Sequence, residues 1–149
     1  MESIVLGISG GRDFYNYKLL CKEIDELRKK YKIKKIISGG AVGADKLGEK
    51  YARENNIEMI IIKPDWKKNG RKAGILRNKD IVDGADLVIA FWDGVSKGTS
   101  NTIERSRKDK KLIKIVYYNQ YNIKKGTIAK QRLKEENEDN DNLKKYKIK

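Results

Sequence analysis

The sequence predicts an α/β domain, a three-layer open parallel sheet of about five strands with helices on both faces. Three observations lead there. Five short apolar runs recur along the 149 residues, at 4–8, 35–38, 57–62, 87–92 and 112–118. These runs read as continuous rather than alternating, as strands buried on both faces require. Segments with three-four apolar spacing lie between them, and strand–helix alternation with short connections marks an open sheet.

The elements follow in order. The run at 4–8 forms the first strand, and Tyr17, Leu20, Ile24, Leu27 and Tyr31 set the apolar face of a first helix. The second strand, 35–38, enters a glycine turn, and Ala44, Leu47, Tyr51 and Ala52 make the stripe of a second helix. After the strand at 57–62, a helix is expected over 72–83. A weakly apolar one over 100–110 separates the strands at 87–92 and 112–118. From about residue 121 the composition turns to Lys, Glu, Asn and Asp with few apolar residues. The expected organisation is one domain over 1–120 and a charged, loosely packed or mobile tail over 121–149, with room for a short helix near 128–136.

Composition narrows the chemistry. There is no histidine, which removes Ser-His-Asp and Cys-His nucleophile systems and the usual zinc and iron sites, so no metal site is expected. Cys21 is the single cysteine, so no intramolecular disulfide forms, which suits a reducing cytoplasm. Met1-Glu2-Ser3 runs straight into a strand without the pattern of a signal peptide, and no apolar run is long enough to span a bilayer. The expectation is therefore a cytoplasmic protein without a membrane partner. The formal net charge of +14 fits a solvated lysine-rich surface or an anionic partner, and charge alone does not choose.

Ligands of open α/β sheets bind outside the carboxyl ends of the strands. Four segments fall there. Gly7-Ile8-Ser9-Gly10-Gly11-Arg12-Asp13-Phe14 permits a tight turn at Gly10 and Gly11, and Arg12 can fork onto a phosphate or stay solvated. Ser38-Gly39-Gly40-Ala41-Val42-Gly43-Ala44-Asp45 leads a strand into a helix start. Backbone amides at Gly39, Gly40 and Gly43 favour an anion there. Asp45 either complements the positive helix end or meets a ribose hydroxyl. This loop is neither GxGxxG nor GxxxxGK[ST], so neither motif names the ligand.

The third segment runs from Trp66 to Asn78 and carries Arg71 and Arg77; a solvated basic helix is its default reading, with Trp66 as a core, lid or base-stacking residue. The fourth, Phe91-Trp92-Asp93-Gly94-Val95-Ser96-Lys97-Gly98-Thr99-Ser100-Asn101, offers a second phosphate cradle at Ser96, Gly98, Thr99 and Ser100, or simple N-capping. Asp93 is expected to pair with Arg12 or Arg77, or to touch a sugar. Each segment is weak alone; their shared placement at successive strand ends is the stronger signal.

The succession SGGRDF, ISGGAVGAD, W…NGRKAGILRN and VIAFWDGVSKGTSN resembles the small SLOG proteins, in particular the YspA-like branch with the domain of unknown function DUF2493. The likeness covers roughly residues 4–118 and implies a Rossmann-like fold that binds nucleotides or nucleotide-derived signals, NAD-related ones included. It implies a pocket lined by Gly10, Gly11, Arg12, Gly39, Gly40, Gly43, Asp45, Arg77, Asn78, Ser96, Gly98 and Thr99. The related LOG phosphoribohydrolases carry PGGxGTxxE with a catalytic Glu. Here Thr102 stands at that place and Glu104 comes two residues late, which argues against LOG-type hydrolysis. DprA, which binds single-stranded DNA, has similar segments in its Rossmann core. SLOG proteins often self-associate, which implies a homodimer or larger homo-oligomer.

Three functions follow as expectations. The leading one is a binder of a small-molecule nucleotide or nucleotide derivative that senses or sequesters a signal, with no further cofactor identified. An N-glycosidic hydrolase would draw its carboxylate from Asp45, Asp93 or Glu104. A single-stranded nucleic-acid binder would use the cations around residues 67–79 and in the tail.

Overall fold

The computed structural model describes residues 1–118. The tail expected over 121–149 and its short helix lie outside the described residues. Five strands, β1 (Glu2–Gly10), β2 (Tyr31–Ser38), β3 (Glu58–Ile61), β4 (Leu87–Trp92) and β5 (Leu112–Tyr117), form one parallel sheet in the order β3-β2-β1-β4-β5. The predicted three-layer α/β architecture is the observed one.

Alternate strand residues feed two cores, as the two-residue period of a strand requires. Ile4, Leu6 and Ile8 of β1 meet Leu20, Ile24 and Leu27 of helix α1 (Tyr17–Arg28) and Tyr51 and Ala52 of α2 (Ala44–Glu54). On the other face Val88, Ala90 and Trp92 of β4 meet residues of two later helices, Ile81 and Val82 of one and Ile103 of the other. Between β3 and those helices the chain makes a four-residue helix, α3 (Trp66–Asn69), and a single 3-10 turn, Gly70–Lys72; neither buries any residue. The two helices of the second face are α4 (Ala73–Gly84) and α5 (Lys97–Lys108). All six residues of β4 are buried, consistent with its continuous apolar run.

Several boundaries differ from expectation. Tyr31 belongs to β2, not to the first helix. Helix α1 ends at Arg28, the Lys29 and Lys30 amides turn back onto Glu26 and Leu27, and Tyr31 pairs with Glu2 of β1. The alternation Tyr31-Lys32-Ile33-Lys34 has exposed lysines and a buried Ile33, so this half of β2 is not a continuous apolar run. The register of β1 against β2 slips between Ile4 and Val5, and Asp86 accepts the Val5 amide at 2.8 Å, so the irregular strand keeps its backbone satisfied. Helix α5 starts three residues earlier than the weak apolar pattern suggests, with Ser96 as its N-cap residue.

Candidate functional site

The order of the sheet reverses beside β1: β2 and β3 lie to one side, β4 and β5 to the other. Connections leaving β1 and β4 run to opposite faces and open a crevice between their carboxyl ends. A cleft of about 450 Å³ occupies that position.

The β1 loop forms one wall. Gly10 and Gly11 are required by close approach. A Cβ on Gly10 would come within 2.6 Å of the Ala44 Cβ and 2.8 Å of the Phe91 carbonyl oxygen, and one on Gly11 would collide with the Tyr118 hydroxyl. Phe14 anchors the loop from below, stacked on Phe91 with ring centroids 4.7 Å apart. Tyr118, just past β5, lies 4.9 Å from the Phe14 ring and donates its hydroxyl to Asp13 Oδ1 at 2.6 Å. Burial and that hydrogen bond push the Tyr118 hydroxyl above its ordinary pKa, so it remains a donor. Arg12 and Asp13 reach the cleft from the exposed side of the loop, and Arg12 makes no hydrogen bond or ion pair among the described residues.

The loop after β2 shapes the cleft more than it lines it. Gly43 has φ +83°, and a Cβ there would run into the Gly11 carbonyl and Arg12 backbone. The Ala44 amide donates to that same Gly11 carbonyl at 3.2 Å, so the two glycine loops lock together. Gly39 and Gly40 sit behind this contact, Gly39 against the Arg77 side chain and Gly40 (φ +73°) against Ile61. Of the predicted glycines, Gly10, Gly11 and Gly98 line the cleft, while Gly39, Gly40 and Gly43 do not.

Asp45 does face the cleft. Its side chain accepts the Ala41 amide at 3.1 Å, and the residue is 7% exposed. Burial pushes its carboxyl pKa up to about 6, against the opposing pull of the Ala41 amide, the Arg77 charge and the Gly39 amide; Glu49 adds to the rise. A carboxyl that titrates near neutrality can hold or release a proton there.

A hydrogen-bonded chain crosses the floor. Arg77 donates from Nη1 to the Gly39 carbonyl and from Nε to Asn78 Oδ1, both at 3.1 Å. Asn78 passes the connection to Asn101 Oδ1 at 3.1 Å and to the Gly98 carbonyl at 3.4 Å. Arg77 thus ties α4 to the β2 loop, and Asn78 ties α4 to α5.

The far wall is the start of α5. Asp93 Oδ1 accepts the amides of Val95 (2.9 Å) and Ser96 (2.8 Å), so the expected pairing with Arg12 or Arg77 is not formed; local amides hold that oxygen instead. Ser96, Gly98 and Thr99 line the cleft, and a Cβ on Gly98 would meet nothing within 4 Å, so no protein atom fills the space beside the first turn at that position. Ser100 and Glu104 do not line the cleft, and Glu104 is exposed, which removes it as a candidate carboxylate. Thr102 is fully buried and bonds to the Gly98 carbonyl at 3.4 Å.

Neither tryptophan stacks in the cleft. Trp92 is 2% exposed on the α4–α5 side of the sheet and donates to the Ser96 carbonyl at 3.0 Å, while Trp66 is 56% exposed and outside the lining. Sequence reasoning passed over Asp13 and Tyr118. Asp13 was inside a segment already singled out, and Tyr118 follows the last strand, where the strand-end rule would have pointed to it.

Residues 4–69 match the family described as YAcAr, the YspA, cpYpsA-related SLOG family. A similar protein is the Gene 61 protein of Mycobacterium phage D29, 37% identical over an alignment of 79 positions that covers 49% of this chain and 63% of that protein. The chain thus spans just under two thirds of that relative. Among the described residues no helix is long and apolar enough to cross a membrane.

Proposed function

We propose that the chain, which matches the YspA-related SLOG family over residues 4–69, binds a nucleotide or nucleotide derivative, of NAD or ADP-ribose type, in the β1–β4 cleft. Its role is to sense or sequester a nucleotide signal. The observation that carries this reading is the convergence of Arg12, which has no partner among the described residues, Arg77 and the first turn of α5 on one cleft. Its volume of about 450 Å³ is within the range of small-molecule sites. Phosphate oxygens go to Arg12 and the α5 amides, because a helix start and a guanidinium both favour an anion. Asp45 is the acceptor for a ribose hydroxyl.

The test is thermal unfolding of the full chain with AMP, ATP, NAD, ADP-ribose, cyclic nucleotides and oligo-dT, each at low and high salt. A ligand at a hundred times its Kd stabilises the native state by about 2.7 kcal/mol. A shift with one mononucleotide or NAD-like compound that survives high salt supports the proposal. No shift with any of them refutes it.

One observation favours a second reading, N-glycosidic hydrolysis. Asp45 is a buried cleft carboxyl with a pKa raised to about 6, suited to proton transfer near neutrality. Release of free base from a bound nucleotide, abolished by Asp45→Asn, would establish it.

A further inference from the structure

Outside the cleft the segment from β3 to α4 carries an unusual surface. Residues 62–79 hold seven cations and a single carboxylate, Asp65, whose Oδ1 already accepts the Lys68 amide at 3.1 Å. Lys63, Lys67, Lys68, Arg71 and Lys72 are all exposed. Among them stands Trp66, 56% exposed, with Ile75 at 59% and Leu76 at 39%. The indole lies beside the first turn of α4: a Cβ built on Gly74 would sit 3.8 Å from Trp66 Cη2, an ordinary van der Waals contact. An exposed aromatic ring, two exposed apolar residues of the adjoining helix turn and five exposed cations thus fall within residues 63–76. The interior does not explain it, since α3 and the following 3-10 turn bury nothing.

We propose that this α3–α4 face docks single-stranded nucleic acid, with Trp66 as a base-stacking platform and the surrounding lysines and Arg71 tracking phosphates. The charge selects a polyanion. It opposes a second copy of the same face, which would bring like charges together. The half-exposed indole selects a strand whose bases are free to stack, because a duplex keeps its ring faces covered. This proposal is independent of the cleft and stands or falls separately from nucleotide binding there.

Trp66 also supplies the readout. The other tryptophan, Trp92, is 2% exposed, so quenching of intrinsic fluorescence on adding unlabelled dT20 reports on Trp66. Anisotropy of labelled dT20 gives affinity for the full chain. Expected are Trp66 quenching and a log–log salt slope of about −3, corresponding to roughly four neutralised phosphates at about −0.7 each. Trp66→Ala should weaken binding by about fivefold or more. Lys67→Glu/Lys68→Glu should weaken it by about tenfold or more, while the control pair Lys32→Glu/Lys34→Glu, exposed on β2 and equal in charge change, stays within about twofold. Equal loss in the two pairs overturns the proposal, because charge at large would then bind. No binding at low salt overturns it, and so does dT20 binding without Trp66 quenching. Equally tight, Trp66-quenching binding of polyglutamate or phosphatidylserine vesicles also overturns it, since the face would then take any polyanion. Nucleotide stabilisation of the cleft in the Lys67/Lys68 variant shows that the two sites are separate.

Discussion

Asparagine at position 45 retains the size of the aspartate and an oxygen able to accept the Ala41 amide, but cannot ionise. Burial raises the Asp45 pKa from its ordinary 3.8 to about 6 in the folded protein. Between those two values the folded chain binds more protons at this site than the unfolded chain does. Stability contributed by Asp45 therefore falls as pH rises from about 4 to about 6, and the full cost persists above that. At 1.36 kcal/mol per pH unit, the gap corresponds to about 3 kcal/mol. The residue is 7% exposed, so solvent screens little of it. Asp45→Asn should thus be more stable than the wild type by about 2–3 kcal/mol at pH 8 and nearly equal to it at pH 4. Urea denaturation of both proteins across pH 4–8 measures this, because the difference between them cancels every other titrating group. A difference that does not change with pH, or a wild type that gains on the variant as pH rises, would refute the reasoning. A carboxylate kept at such a cost is the pattern of a site selected for binding or chemistry rather than for stability.

Arg12→Ala should weaken nucleotide binding by about 1.5–3 kcal/mol, the scale of a charged hydrogen bond, while melting temperature without ligand stays unchanged; unaltered affinity by calorimetry would remove Arg12 from the site. Gly11→Ala should destabilise by about 1–3 kcal/mol through its collision with Tyr118. Tyr118→Ala in the same chain should recover part of that loss, and a double-mutant cycle without coupling would exclude the collision as the cause. Thr102→Glu, which restores the acidic residue of the LOG motif, places a carboxylate at a fully buried position and should cost about 3 kcal/mol or more without creating base release. A stable Thr102→Glu protein that hydrolyses AMP would overturn this account of α5.

The fold class was legible because it rests on local pattern. The run 87–92 is apolar at every position, as a strand buried on both faces requires, and five apolar runs separated by helical stripes leave few arrangements. The first half of β2 was not legible, because Tyr31-Lys32-Ile33-Lys34 continues the spacing of the preceding helix and only pairing with Glu2 to Ile4 makes it a strand. At the candidate site, Gly10, Gly11, Arg12, Asp45, Arg77, Asn78, Asp93, Ser96, Gly98 and Thr99, named from the strand ends together with the family resemblance, lie along one cleft, whereas Gly39, Gly40, Gly43 and Ser100 do not.

The sequence by itself determined the parallel α/β layering and the strand ends from which a site would be built, since periodicity and glycine turns are properties of neighbours along the chain. The tertiary structure decided what each residue does there. Gly43 yields to the β1 loop and leaves the cleft wall, Asp93 gives its oxygen to local amides, and Glu104 points outward. It also brought Tyr118 onto Asp13, 105 positions away, and left Trp66 on the surface instead of in the cleft. These assignments depend on which atoms compete for the same space and the same donors, and that competition exists only once distant segments have met.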